Sequence, residues 1–285
     1  LDVALPLRWA DLTWKTFLAG NEATMDALAG AALVAKDAYP DLDIARLGED
    51  VDALRGPLRD HALRKLAVDE QLAVLKDHFA KVLAFRGNEE NYYDERNSYL
   101  PDVLAARKGL PIVLCMLYCD IARAAGVRAS SVAFPGHVLV RVDGQATGEP
   151  IVVDPFYACT RLSTSDLAER LRKARGGPAR LTPRHFAPAS PRQLVVRMLA
   201  NLRHLFAIRG DFGRALLASD RLVMLMPSPE AHLERAALAL RLDAYEVARA
   251  DFERFLELAP HASQAGKVRA QLGELGRTVT RDSLN

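Results

Sequence analysis

The chain has 285 residues, 50% of them apolar and 26% charged, which is the composition of a folded globular protein with length enough for two cores. A net charge of +2 without a dense basic stripe argues against a nucleic-acid partner, and no run of about 18 apolar residues is present to span a membrane. Three cysteines, an odd number without framework spacing, argue against a disulfide scaffold and suit a reducing compartment. The opening LDVALPLRWADLTW carries Asp2 and Asp11 where a leader would be basic, then apolar. A cytoplasmic protein without membrane or cofactor is the expectation.

The first hundred residues hold 12 Lys/Arg against 18 Asp/Glu. Apolar positions recur at helical spacing in MDALAGAALVAKDAY and in EQLAVLKDHFAKVLAF, so amphipathic helices with acidic outer faces are predicted. Asn97, Ser98 and Tyr99 form a polar turn just before the helix. Arg107 and Lys108 follow, able to meet an acidic ligand or only water. From Pro111 the texture changes, because PIVLCMLYCDIARAAG offers only Asp120 and Arg123 as charges. That pattern predicts a helix buried nearly all round, with Pro111 in its first turn and Gly126 at its stop.

Three short runs of β character come next: SSVAF, HVLVRV and PIVVDPF, punctuated by Pro135-Gly136 and Asp143-Gly144. A small antiparallel sheet on the buried helix is predicted. If the last two runs pair with positions summing to 291, Asp143 faces Gly148 and His137 lies opposite Asp154; opposed side chains share a face about 5 Å apart. Val138, Val140, Ile151 and Val153 then form the apolar opposite face. The carboxylate would fix the imidazole tautomer, as an orienting acid does. Cys115 is the candidate nucleophile, although Cys115 and Cys119, one turn apart on an apolar helix, also read as core fillers. Cys159 is a lesser candidate, and a metal held by Cys115, Cys119 and His137 lacks the short loop of structural zinc motifs.

The basic cluster RLRKARGG, residues 170–177, reads as a helix C-terminus and solvated loop. Pro and Gly are dense through residues 174–192, which suggests a linker. Beyond it, GDFGRALLASDRLVMLMP (210–227) aligns with DAYEVARADFERFLELAP (243–260) at an offset of 33, matching Phe212 to Tyr245, Ala215 to Ala248, Leu225 to Leu258 and Pro227 to Pro260. The period and the aromatic, small-residue and terminal-Pro pattern resemble tetratricopeptide repeats. Flanking helices at 191–209 and 262–277 complete a short stack, which either closes a core or offers a concave face to a protein or peptide partner.

Together, GNEENYYDERNSYLPDVLAARKGLPIVLCMLY, VAFPGHVLVRV and VVDPF, followed by RMLANLRHLF and the repeats, resemble the bacterial SirB-type family over about Ala38 to Pro260. The resemblance implies a cysteine-protease-like, transglutaminase-like domain at 1–177, a linker at 178–190 and a repeat domain at 191–285. The fold class expected is α+β, a mostly helical N-terminal region with a small antiparallel sheet packed on a buried helix, then an all-α stack. It also implies that His137 and Asp154 match the second and third positions of a catalytic triad, with Asn97, Ser98, Tyr99 and Pro111 as a possible lining of the same cleft. The first position, counted back from Gly126, falls on Pro111, which has no nucleophile. Cys115 is one turn further along, about 6 Å down the axis at ~1.5 Å per residue. The expectation is a degenerate domain used for binding or regulation. The alternative is a hydrolase or acyltransferase acting on an amide through Cys115, His137 and Asp154.

Overall fold

The computed structural model describes residues 9–21, 25–59, 63–144 and 150–282, with side chains to residue 276, and divides into two units, 1–195 and 196–285. The first unit opens with helices α1 (Trp14–Ala19), α2 (Ala27–Ala38), α3 (Ile44–Arg59) and α4 (Val68–Lys76). Directly after α4 the chain widens into a π turn, Asp77–Val82. A two-residue strand β1 (Arg86–Gly87), helix α5 (Leu100–Ala106) and strand β2 (Lys108–Gly109) lead into α6 (Pro111–Ala124). Strands β1 and β2 pair in parallel.

Helix α6 is the axis of this unit. Every residue from Pro111 to Ala122 is buried, as its lack of charge requires. Pro111 sits in the first turn, where its missing N–H costs no hydrogen bond. Gly126 (φ +80) follows the last turn in the left-handed region that glycine tolerates. Phe79 and Phe85 stack at 5.1 Å, and Phe79 meets Tyr118 of α6 edge-on at 5.4 Å. Arg55 of α3 donates from Nη2 to Asp120 of α6 at 3.0 Å, so the one acidic residue of the buried helix is paired.

Beyond α6 lie β3 (Ala129–Val132), β4 (Leu139–Val142), β5 (Ile151–Asp154) and β6 (Thr160–Leu162), an antiparallel sheet in the order β3-β4-β5-β6. The register differs from the sequence expectation. Val140 pairs with Val153 and Val142 with Ile151, so partners sum to 293 where 291 was expected. A shift of two keeps every side chain on its face, because strand periodicity is two. Gly148, the expected partner of Asp143, lies outside the described residues. Strand β6 and the helix α7 (Thr164–Arg175) complete the sheet region.

Segment 178–190, expected as a linker, is instead packed on this unit. Pro188 bridges Val132, Ala189 N donates to Ser131 O at 2.8 Å, and Phe186 O accepts from Arg141 Nη1 at 3.2 Å. Leu181 and Phe186 pack against Val132, Phe134, Leu139, Val152, Leu167 and Leu171. The division between units falls at 195/196, inside helix α8 (Pro191–Ile208).

The second unit continues with α9 (Phe212–Leu225), α10 (Pro229–Leu240), α11 (Tyr245–Leu258) and α12 (Ala265–Asp282). Helices α9 and α11 begin and end at positions 33 apart, as the repeat requires. Ala215 and Ala248 are wholly buried, which lets backbones approach, and the helices stop just before Pro227 and Pro260. Phe252 and Phe255 fill the core with Ala236, Ala239 and Val268. Buried Asp251 is held by His232 Nδ1 at 2.7 Å and by Arg235 Nε at 2.7 Å.

Candidate functional site

Asp154 ends β5 and is 0% exposed. Its Oδ1 accepts from Phe156 N at 3.1 Å, capping the short turn Pro155–Tyr157. The Pro135-Gly136 turn, with Gly136 at φ +74, delivers His137 just ahead of β4. His137 Nε2 then lies 3.2 Å from Asp154 Oδ1 and 3.1 Å from Oδ2. The structure thus brings the two residues together although they are not direct cross-strand partners; in the observed register Asp154 faces Leu139, and His137 reaches it diagonally.

A third group completes the cluster. Arg170 Nη1 of α7 is 3.0 Å from Asp154 Oδ2. Oδ2 makes these two close contacts with charge-pair distances but without hydrogen-bond angles, so the attraction there is electrostatic. The buried carboxylate is shared between a guanidinium and an imidazole. Around them, the His137 ring stacks on Tyr157 at 6.4 Å and meets Phe156 edge-on at 6.0 Å, and Arg170 lies 5.7 Å over Tyr157. Tyr92 extends the aromatic group at 5.9 Å from Phe156, and Tyr93 and Tyr157 stand exposed at its rim.

Arg170 was hidden inside a cluster read as solvated. Arg172 and Lys173 do pair with the surface residue Glu169, and Gly176 does end the helix. The signal for Arg170 was its place between Leu167 and Leu171, both buried against the sheet. Residues one turn apart on a helix share a face.

Two of the thiols lie on α6, while the third, Cys159, is near enough to Asp154 for the carboxylate's charge to oppose its ionisation. Ser131, Val140 and Val153 are aligned across the sheet and share one face. Ser131 Oγ touches Cys119 Sγ at 3.5 Å, so that face meets α6. Asp154 belongs to the other face, with Val132, Leu139 and Val152, which packs on α7. Cys115, 0% exposed, donates from Sγ to the carbonyl of Val138 at 3.3 Å. Burial pushes the Cys119 and Cys159 thiols up to about 12, which opposes thiolate chemistry near neutral pH.

The expected cleft-lining residues are internal. Asn97 is 4% exposed and ties its own loop: Nδ2 donates to Asn91 O at 2.7 Å, and Oδ1 accepts from Asn88 Nδ2 at 2.8 Å. Its backbone carbonyl accepts from Leu110 N at 2.9 Å, bracing the entry to α6. Ser98 and Tyr99 are buried, Tyr99 edge-on to Tyr39 at 5.3 Å, and Pro111 is enclosed in the core.

A sheet packed on a helix buried from Pro111 to Ala122, with an imidazole–carboxylate pair at the strand ends, is the arrangement expected of a transglutaminase-like domain. Sequence comparison agrees: a profile described as "Transglutaminase-like superfamily" matches residues 45–200, and one described as "Tetratricopeptide repeat" matches 202–273. A UPF0162 protein of Xylella fastidiosa is 34% identical over 92% of this chain and 94% of its own length, and a UPF0162 protein of Pseudomonas aeruginosa is 32% identical over 78% and 86%. The chain belongs to this bacterial SirB-type family, UPF0162, in which a transglutaminase-like domain precedes tetratricopeptide repeats. A human relative, F-box only protein 21, is 38% identical over 33% of this chain and 15% of its own length. No solved structure matches. No helix among the described residues is long and apolar enough to cross a membrane.

Proposed function

We propose that the transglutaminase-like domain is a degenerate, non-catalytic member of its superfamily, used to bind a ligand or peptide at the His137 cluster. The tetratricopeptide repeats serve in this reading as the platform for a protein partner in regulation. One observation carries it: the thiol nearest the nucleophile position, Cys115, is spent on the Val138 carbonyl from the α6 side, while Asp154 and its two cationic partners belong to the α7 side. A wholly buried thiol hydrogen-bonded to a backbone carbonyl is poorly placed to become a thiolate. Pro111, at the position the family resemblance gives to the nucleophile, supplies none.

The pair itself retains recognition chemistry. With Nε2 turned to Asp154, the other ring nitrogen of His137 remains to meet a polar group presented at the rim. Tyr92, Tyr93 and Tyr157 offer ring faces and hydroxyls beside it, the combination that anchors binding interfaces.

Site-specific alkylation tests the proposal. In the native full chain at neutral pH, Cys115 is expected to label no faster than the unfolding-limited rate, and Cys115→Ser is expected to leave partner capture unchanged. The alternative, a cysteine hydrolase or acyltransferase using Cys115, His137 and Asp154, requires rapid alkylation of Cys115 alone and an amide-cleaving or acyl-transfer activity that Cys115→Ser abolishes. That pair of results would replace the binding assignment.

A further inference from the structure

Residues 170–186 hold six Lys/Arg and no Asp/Glu, and packing turns most of those cations outward. Leu171 of α7 is buried in the cluster on the sheet, and Ala179, Leu181 and Phe186 of the following segment pack against that cluster. Arg180, between the inward Ala179 and Leu181, is exposed, as are Arg175 in the last turn of α7 and Arg184 in the turn Pro183–Phe186. Arg172 and Lys173 share Glu169. Among the described residues, no carboxylate pairs with the side chains of Arg175, Arg180 and Arg184.

This basic face adjoins the His137 cluster. The Pro135-Gly136 turn that delivers His137 lies against α7, where a Cβ placed on Gly136 would fall 3.1 Å from that of Ala174. His137 N donates to Phe134 O at 3.1 Å, and the Phe134 ring lies 6.1 Å from that of His185, the neighbour of Arg184. Arg170 belongs to both groups, with Nη1 on Asp154 and its guanidinium over the exposed ring of Tyr157. The opposite rim has the other sign: the loop that carries Tyr92 and Tyr93 exposes Glu89 and Glu90.

We infer that the ligand of the His137 rim is an acidic peptide segment of a partner protein, its Asp/Glu side chains on Arg175, Arg180 and Arg184 and its adjoining uncharged or basic residues over Tyr157 and Tyr93. This rests on the binding assignment made above and adds the chemistry of what is bound. Guanidinium groups with no ion pair to break take carboxylates in the planar two-bond geometry. A polynucleotide, charged at every residue, would set phosphates against Glu89 and Glu90, whereas a peptide can change sign along its length to match both sides of the rim.

Fluorescence anisotropy of the full chain with the labelled peptide Lys-Lys-Gly-Tyr-Gly-Glu-Glu-Glu-Glu tests the inference, beside the same peptide with Gln for every Glu and a labelled oligouridylate. Saturable binding of the Glu peptide is expected, falling as salt rises, with the Gln peptide and the oligouridylate weaker by at least about tenfold. Arg180→Glu with Arg184→Glu is expected to weaken the Glu peptide by a similar factor while the melting temperature stays unchanged. Lys15→Glu with Lys267→Glu, an equal change of net charge at exposed positions, is expected to leave its affinity as it was. The inference is overturned by absence of saturable binding, by the Gln peptide or the oligouridylate binding as tightly, or by a folded Arg180→Glu, Arg184→Glu chain that binds like the parent or like the Lys15→Glu, Lys267→Glu chain. Equal binding of the Glu and Gln peptides, lost together in Tyr157→Ala, would overturn the acidic specification and leave the rim a peptide site; rapid alkylation of Cys115 strikes the binding assignment itself.

Discussion

Replacing Asp154 with Ala should destabilise the first unit by about 3–5 kcal/mol, the range for breaking a buried ion pair from one side. The structure shows where that arises. The substitution strips Phe156 N–H of its acceptor, an orphaned buried donor that alone costs about 1–3 kcal/mol. It also leaves His137 and Arg170 facing each other without the carboxylate that both approach at 3.0–3.1 Å. Arg170, 28% exposed, can turn partly to water, which offsets some of the loss. Arg170→Met should therefore cost less, about 1–2 kcal/mol, because Asp154 keeps His137 and the Phe156 N–H. In the Asp154→Ala background, Arg170→Met should cost little or restore stability, since it then removes an uncompensated cation. Trp9 and Trp14, the only tryptophans, both lie in the first unit, so their fluorescence reports its melting. A shift of at least about 6 °C is expected for Asp154→Ala, at ~2–4 °C per kcal/mol for a unit of this size. An Asp154→Ala shift under about 2 °C, or strict additivity in the double variant, would refute a shared buried carboxylate.

Two further outcomes follow from packing. Cys119 and Cys159 titrate at about 12 when folded because burial disfavours the thiolate, against 9.0 for a free thiol. Between those limits the folded state holds protons the unfolded state has lost, so stability is full below pH 9.0 and falls as pH rises through that window, by about 1.4 kcal/mol per unit for each thiol. Urea titrations in reductant at pH 8, 9 and 10 should show the decline, with a shallower slope in the Cys119→Ala, Cys159→Ala double variant; equal slopes would contradict it. In the second unit, Ala248→Leu should cost about 1–3 kcal/mol by overpacking a wholly buried position, measured as a lower urea midpoint with unchanged helicity; a neutral result would mean that the repeat helices are not in close contact there.

Much of the fold was legible because burial writes itself as composition. The α6 segment could be read as buried all round from its two charges, and the repeat from its offset of 33, since both depend on residues near in sequence. The sheet register was misjudged by two because the loop beyond Asp143 leaves no local signal of length, yet the faces survived because parity did. The roles of Asn97, Ser98 and Tyr99 were not readable: the family resemblance suggested a cleft, but three internal hydrogen-bond partners made Asn97 a core residue. Arg170 was obscured because a salt-bridged surface and a buried carboxylate recruit the same residue type, and only the Leu167 and Leu171 positions separate them. Arg107 could be suspected of meeting an anion, but it caps α5 in the left-handed region and its guanidinium lies over the buried ring of Phe85, contacts that only tertiary packing reveals.

Gly87 has a further consequence for the His137 cluster. A Cβ placed there would fall 2.6 Å from the ring of Phe156, whose N–H is held by Asp154. The turn that carries the carboxylate therefore nests in a space kept open by a single hydrogen atom far upstream. One added methyl group in β1 would force Phe156 to shift and, through its N–H, disturb the Asp154 carboxylate without altering any charged or hydrogen-bonding side chain.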